Sequence, residues 1–144
     1  MEQRVFIAAP FTVAIENGTF DSAIKTRINK IHKIVRAAGK KLYSAHEREK
    51  WGENLDTPSS LAKIDVDELR KCSHLIVYWG DKTSVGVSIE IGLAIAFQKP
   101  ILLIHEANGI ESDFYSGLVD LGYIEDVQWG NEKQIEDSIT TFLK

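Results

Sequence analysis

Cysteine is almost absent, since Cys72 is the only one in 144 residues. That excludes a disulfide framework or a cysteine-rich zinc site within one chain, and nothing points to an oxidising compartment. No long apolar run opens the chain. MEQRVFIAAPFT offers only about six apolar residues before Pro10, too few for a signal h-region or a spanning helix. A basic surplus is missing as well: 17 Lys+Arg stand against 21 Asp+Glu, for a net charge of -4. A nucleic-acid surface normally shows a basic excess or stripe. No internal repeat, low-complexity tract or linker interrupts the sequence. These absences describe a cytoplasmic protein with small-molecule partners and neither nucleic acid nor membrane to bind. What is present is an ordinary composition, 44% hydrophobic and 26% charged. A domain of roughly 150 residues buries about 70% of its unfolded surface, so residues 1–144 read as one domain needing no metal or disulfide staple.

Apolar runs alternate with helical patterns. Val5 to Ala9, ended by Pro10, suits a buried parallel strand. Ser22 to Ala38 carries Ile24, Ile28, Ile31, Val35 and Ala38 at spacings of three and four, with its basic residues on the solvated side and Gly39 ending it. Lys41 to Ala45 is a strand, followed by the polar stretch HEREKWGENLDTP. A helix starts at Thr57-Pro58, Thr as N-cap and Pro at the first helical position, and runs to about Cys72. His74 to Trp79 and Pro100 to His105 are strands flanking a helix from Ser84 to Gln98. Ser112 to Leu121 reads as helical, Tyr123 to Gln128 as an edge strand, and Glu132 to Leu143 as a closing helix with Ile135, Ile139 and Phe142 inward. Parallel strands need right-handed crossovers, so the expectation is α/β: a flavodoxin-like or Rossmann-like three-layer sandwich with a five-stranded, mainly parallel sheet. Ligands of such folds sit beyond the carboxyl ends of the strands. Those ends carry Ala9 to Thr12, Ser44 to Glu47, Trp79 to Asp81, and His105-Glu106.

The segment Ser84 to Phe97 is the most informative. Glu90 is its only charge, in a helix apolar almost all the way round, which predicts a buried helix. Burying a lone carboxylate is costly unless it is paired or hydrogen-bonded. Glu90 is therefore either a structural glutamate bonded to a neighbouring strand or a working group. Gly92 costs about 1 kcal/mol relative to Ala in a helix interior, and Gly86 lets backbone or ligand approach closely. Ser84 and Ser88 sit by the helix N-terminus, where free N–H groups favour a phosphate or a hydroxyl-rich ligand. Asp65 lies beside the apolar stripe of the preceding helix, placed to face the sheet edge near Glu90, whereas Asp67 and Glu68 point to solvent.

Asp65, the strand from His74 to Trp79, and Ser84-x-Gly86-x-x-x-Glu90-x-Gly92 together resemble the nucleoside 2-deoxyribosyltransferase superfamily, including its deoxynucleoside 5'-monophosphate N-glycosidase branch. Ala-Ala-Pro-Phe at the first strand end and Ser-Ala-His-Glu-Arg-Glu-x-Trp-Gly fit the same group. The resemblance spans roughly residues 4 to 105. It implies cleavage of the N-glycosidic bond of a nucleoside or its 5'-monophosphate, by hydrolysis or by transfer of the (deoxy)ribosyl group to another base. Glu90 would be the nucleophile and Asp65 would bind the base or carry a proton to it. Ser84 stands where transferases of the family carry an aspartate that binds the 5'-hydroxyl and where the monophosphate glycosidases carry a phosphate-contacting serine. An aspartate repels a phosphate, so Ser84 and Ser88 lean the substrate towards a monophosphate. Phe6 departs from the tyrosine with which transferases orient the nucleophile. No cofactor and no metal are called for.

Phe11 and Thr12 after the first strand, and His46, Glu47 and Trp51 after the second, complete the expected substrate contacts; each also has a bland reading, as a loop or a solvated charge run. Trp79 is expected to pack rather than stack on a ligand, His74 and His105 to be satisfied structural histidines, and Cys72 to be inert. The family completes its pockets from a neighbouring subunit, which implies a homodimer or larger homo-oligomer. Asn108 to Gly117, with Phe114, Tyr115, Tyr123 and Trp129, is the expected interface. Two alternatives stand beside this reading: an NAD-type glycohydrolase and a nucleotide-binding sensor without turnover.

Overall fold

The computed structural model describes residues 3–80, 84–106, 110 and 112–144, the side chain of Thr12 excepted. In chain order the elements are β1 Arg4–Ala8, β2 Ile15–Glu16, β3 Thr19–Phe20, α1 Ser22–Ala37, β4 Lys41–Ser44, α2 Ala45–Arg48, α3 Pro58–Lys71, β5 His74–Gly80, α4 Val85–Ala96, β6 Ile101–His105, α5 Asp113–Asp120, β7 Glu125–Gln128 and α6 Glu132–Phe142. Short 3-10 turns at Thr12–Ala14 and Lys50–Gly52 complete the path.

Five strands form one sheet in the order β4-β1-β5-β6-β7, and every pairing is parallel. The edge strand β7 is parallel too, so the sheet is wholly rather than mainly parallel, and the fold is Rossmann-like. β2 and β3 form a separate antiparallel hairpin. Its turn is Asn17-Gly18, both left-handed (φ 51° and 77°), as a two-residue hairpin loop requires.

Side-chain alternation divides the core between the two faces of the sheet. Val5, Ile7, Ile76, Leu102 and Ile104 meet the isoleucines of α1 with Ile135 and Ile139 of α6. Phe6, Ala8, Leu75, Val77 and Leu103 meet Leu69 of α3, Val87, Ile91 and Ala94 of α4, and, beyond them, α5. Helix ends follow local chemistry. Asp21, Thr57, Ser84, Ser112 and Asn131 each cap their helix by accepting a backbone N–H. α1 ends at Gly39, whose φ of 81° suits the left-handed turn that closes the helix.

One expectation fails. α4 is not buried on all sides, since Val85 is 74% and Ile89 58% exposed. The helix lies on one flank of the sheet, so only the Val87, Ile91 and Ala94 stripe reaches the core, and the apolar opposite side is left open. Three smaller readings hold. Trp79 packs edge-on against Tyr115, and His105 bonds the Glu106 carbonyl and the Asp126 carboxylate. Cys72 is buried, and burial pushes its thiol up to about 12, leaving it protonated and unreactive. Among the described residues no helix is long and apolar enough to cross a membrane.

Candidate active site

In this strand order the chain leaves β1 for one side of the sheet and β5 for the other, and the crevice between their carboxyl ends is where such folds take ligands. A cavity of about 510 Å³ lies there. Its floor is Ile7 to Ala9, and its walls come from Phe11, Ala45 and His46, from Leu55, Asp56, Leu61 and Asp65, and from Ser84 to Val87 with Glu90. The volume falls within the range of roughly 300–1,000 Å³ usual for small-molecule sites.

Asp65 and Glu90 both line this space, as the helix spacing implied. No donor among the described residues reaches the Glu90 carboxylate. Burial, with the nearby Asp65 charge adding to it, pushes Glu90 up to about 8, which favours the acid form at neutral pH. Asp65 is also raised by burial, but it is opposed by a hydrogen bond from Tyr43 and by the charge of Arg48. With the Asp65 charge acting on Glu90, the two acids titrate as a pair, and a proton on either belongs to the pair.

Ser84 lines the cavity while capping α4, its Oγ accepting from the Val87 N–H at 3.3 Å. Gly86 follows, and a Cβ there would meet nothing nearer than Ser84 Oγ at 4.0 Å. No neighbour among the described residues crowds that glycine. Ser88 lies outside the cavity lining: its hydroxyl donates to the Ser84 carbonyl and accepts from Tyr115 Oη at 3.0 Å, fixing the start of α5 to α4.

Across the cavity, Phe11 and His46 line the wall with ring centroids 4.8 Å apart. His46 is 2% exposed. Its Nε2–H donates to the Pro10 carbonyl at 2.9 Å, and since a carbonyl only accepts, Nδ1 is left as a bare lone pair. Burial lowers its pKa to about 4, so the ring is neutral. Glu47 is engaged elsewhere, by Arg36 at 2.8 Å and His32 at 3.1 Å. Trp51 packs on Phe20, His46 and Lys25 beside a second, shallower hollow rather than in the cavity. Thr12 has its side chain outside the described residues. Of the expected contacts, Glu90, Asp65, Ser84, Gly86, Phe11 and His46 converge, whereas Ser88, Glu47 and Trp51 stand behind or beside that group.

Several lining residues had no sequence signal. Glu49 is 2% exposed and forms part of the wall, its Oε1 accepting the Asp56 N–H at 3.1 Å. Lys50, Trp51 and Gly52 are all left-handed (φ 49°, 58° and 99°), an uncommon and strained run for two side-chain-bearing residues. That run folds the chain back so that Glu49 points inward and Asp56 meets Arg48. A run of consecutive polar residues hides such a reversal; only the glycine at 52 hints at it.

The expected interface residues divide. Phe114 and Tyr123 are exposed, but Trp129 is buried, stacked beneath the Arg27 guanidinium and against Tyr78, and so is not an interface side chain. Tyr115 is half-buried against Trp79. Residues 108, 109 and 111 lie outside the described residues.

Neither protein-family profiles nor curated proteins give a match to this sequence. Solved structures do. The CMP N-glycosidase BcmB of Clostridium botulinum superposes with a TM-score of 0.74 at 22% identity, covering 97% of this chain and 99% of that one. BlsM gives a TM-score of 0.77 at 28% identity, over 98% of this chain and 89% of that one. A conserved protein from Enterococcus faecalis V583 is more distant, with a TM-score of 0.61 at 13% identity over 98% and 99%. The chain thus shares its fold with BcmB and BlsM, and its helix-borne carboxylate motif at the switch point is similar to that of the nucleoside 2-deoxyribosyltransferase superfamily.

Proposed function

We propose that the protein is an enzyme that cleaves the N-glycosidic bond of a nucleoside 5'-monophosphate, through a glycosyl ester on Glu90. The observation that carries this is the convergence of Glu90 and Asp65 in one cavity at the open N-terminus of α4. The BcmB neighbour, a CMP N-glycosidase, supports the same class of substrate.

The bond from the anomeric carbon to the base nitrogen breaks as positive charge develops on the sugar, and a carboxylate on the opposite face stabilises and then captures it. For this Glu90 must be the anion. The pair's proton sits on Asp65 when substrate is bound, and Asp65 gives it to the departing base, which leaves with the bonding electrons. In the second half water attacks the anomeric carbon, its proton returns to Asp65, and the ester bond to Glu90 breaks. A second base entering in place of water gives transfer. Ser84 and the free N–H groups at the start of α4 receive the 5'-phosphate, where the helix dipole favours an anion. Phe11 and neutral His46 flank the base.

A second copy of the chain completes the site in this reading. Val85, Ile89 and Leu55 are exposed apolar residues on α4 and at the rim of the cavity. Light scattering on the purified protein should give a dimer or larger species, and a monomer that turns over at full rate refutes this part. The activity is tested by incubating the protein with nucleosides, monophosphates and NAD, with and without an acceptor base, and identifying products by mass spectrometry. Free base from monophosphates supports the proposal. Nicotinamide from NAD alone, or thermal stabilisation by nucleotides without any product, replaces it with a glycohydrolase or a sensor.

A further inference from the structure

Phe6 carries no hydroxyl where the related transferases carry a phenol, yet a phenol stands beside it. In the parallel ladder of β1 and β4 the register partner of Phe6 is Tyr43, and the two rings are in contact with centroids 5.1 Å apart. Tyr43 Oη donates to Asp65 Oδ1 at 2.7 Å. Arg48 Nε donates to the same Tyr43 oxygen at 2.9 Å. Arg48 is itself held by the Asp56 carboxylate, with Glu49 Oε1 3.7 Å away.

The polarity of this chain is not free. A guanidinium has donors only, and a phenol has one proton. Arg48 therefore occupies a lone pair of Tyr43, and the single phenol proton is the one directed at Asp65. Asp65 Oδ1 can then only accept, and any proton that Asp65 carries must reside on Oδ2. We propose that Tyr43, oriented by Arg48, is the positioning residue of the site: it confines the transferable proton of Asp65 to one oxygen, the one turned to the departing base. This rests on the function proposed above, and it adds residues 43 and 48 to the machinery without their touching substrate. Burial together with the Asp65 charge holds the phenol well above its usual range, so it stays protonated and keeps donating.

The decisive variant is Tyr43→Phe, which keeps the ring against Phe6 and removes only the hydroxyl. Base release from a monophosphate should fall about 10- to 100-fold in kcat with KM changed no more than about threefold, because proton transfer rather than binding is affected. Carbon-13 NMR of the side-chain carboxyls, with Asp65 assigned through Asp65→Asn, should show Asp65 titrating at higher pH in Tyr43→Phe than in the wild type. A lost donor to the carboxylate raises its pKa. Arg48→Lys, which lacks the Nε donor, should move both readouts in the same direction by a smaller amount, and it decides the matter if Tyr43→Phe folds poorly. An unchanged Asp65 titration, or an unchanged kcat in an active protein, overturns the proposal. Should the wild type release no base from any monophosphate, the functional reading fails, while the titration still reports on the bond from Tyr43 to Asp65.

Discussion

The two walls of the cavity hold their carboxylates in opposite ways. On the α4 wall Glu90 stands among apolar residues with no hydrogen-bond donor among the described residues, and burial drives it towards the acid form. On the wall made by β4, α2 and α3, Asp65 accepts from Tyr43, Glu49 accepts from the Asp56 N–H, and Arg48 ties Tyr43 and Asp56 together. One wall carries a carboxyl without a donor among the described residues; the other is a stitched frame. An unpaired, half-buried carboxyl costs folding free energy, and such a cost is characteristic of functional sites. The frame does the reverse, fixing a group whose direction matters more than its reactivity.

Removing the lone group should have the largest effect. Glu90→Gln is expected to reduce base release by at least about 10³-fold, since an amide cannot serve as the nucleophile that captures the sugar. Stability should move the other way, and with a defined pH dependence. The Glu90 pKa is raised on folding from 4.5 to about 8, so the folded state binds the extra proton and wild-type stability falls as pH rises between those values. Glu90→Gln is free of that fall, so its advantage in Tm should widen from pH 4.5 to 8 and then stay flat. A variant that keeps activity, or loses stability at pH 8, breaks the contrast between the walls.

Breaking the frame should cost less. Asp65→Asn is expected to lower base release by about 10²-fold, the lower end of what a positioned acid contributes. Because the Asp65 charge adds to burial in raising Glu90, the same change should lower the Glu90 titration from about 8 while leaving it above the ordinary carboxylate range. Carboxyl NMR reads this directly. A Glu90 midpoint that does not move means the two groups are not coupled across the cavity.

The two walls also differ in what the sequence disclosed. Glu90 was legible because a single charge in a long apolar run is conspicuous, and Ser84 because it stands at the start of that run, where helix N–H groups are exposed. α1 was legible to within a residue or two from its apolar spacing and the Gly39 that ends it, and α3 from its Thr57 cap and Pro58. The frame was not. Tyr43 meets Asp65 only through the register of β4 on β1, a contact 22 residues apart in sequence. Glu49 is buried by three successive left-handed residues that no periodicity announces. The opposite error came from α4, whose apolar composition could not say which side faces the core and which is left open. The Asn17-Gly18 hairpin had its signal in plain sight and went unread, being only two residues per strand.

Below the cavity wall, His32 and His46 give the frame a pH limit of the opposite sign to that of Glu90. Burial lowers both from 6.5 to about 4, His32 despite Glu47 beside it. Stability should be full above pH 6.5 and fall as pH drops through 4, because the unfolded chain takes up protons that the folded one refuses. Each histidine accounts for on the order of 3 kcal/mol across that window. Thermal melts should therefore show an acid-side decline that His46→Phe reduces. A flat profile from pH 6.5 to 4 would mean that burial does not keep these rings neutral.

The smallest effect expected is also the most selective. Ser84→Asp keeps the N-cap, since aspartate accepts the same backbone N–H, so α4 and the fold should persist. What changes is the charge at the mouth of the helix, where a 5'-phosphate would meet a carboxylate instead of a hydroxyl. KM for a monophosphate should rise about tenfold, a difference of about 1.4 kcal/mol, while KM for the matching nucleoside stays the same or falls. The size depends on screening, so the monophosphate penalty should shrink with added salt. If both substrates weaken alike, the serine serves only as a cap and the phosphate binds elsewhere. If only the monophosphate weakens, and less so in salt, the open N-terminus of α4 is the phosphate end of the cavity, and the contrast between its walls runs along the substrate, from the sugar and phosphate on α4 to the base held against the frame.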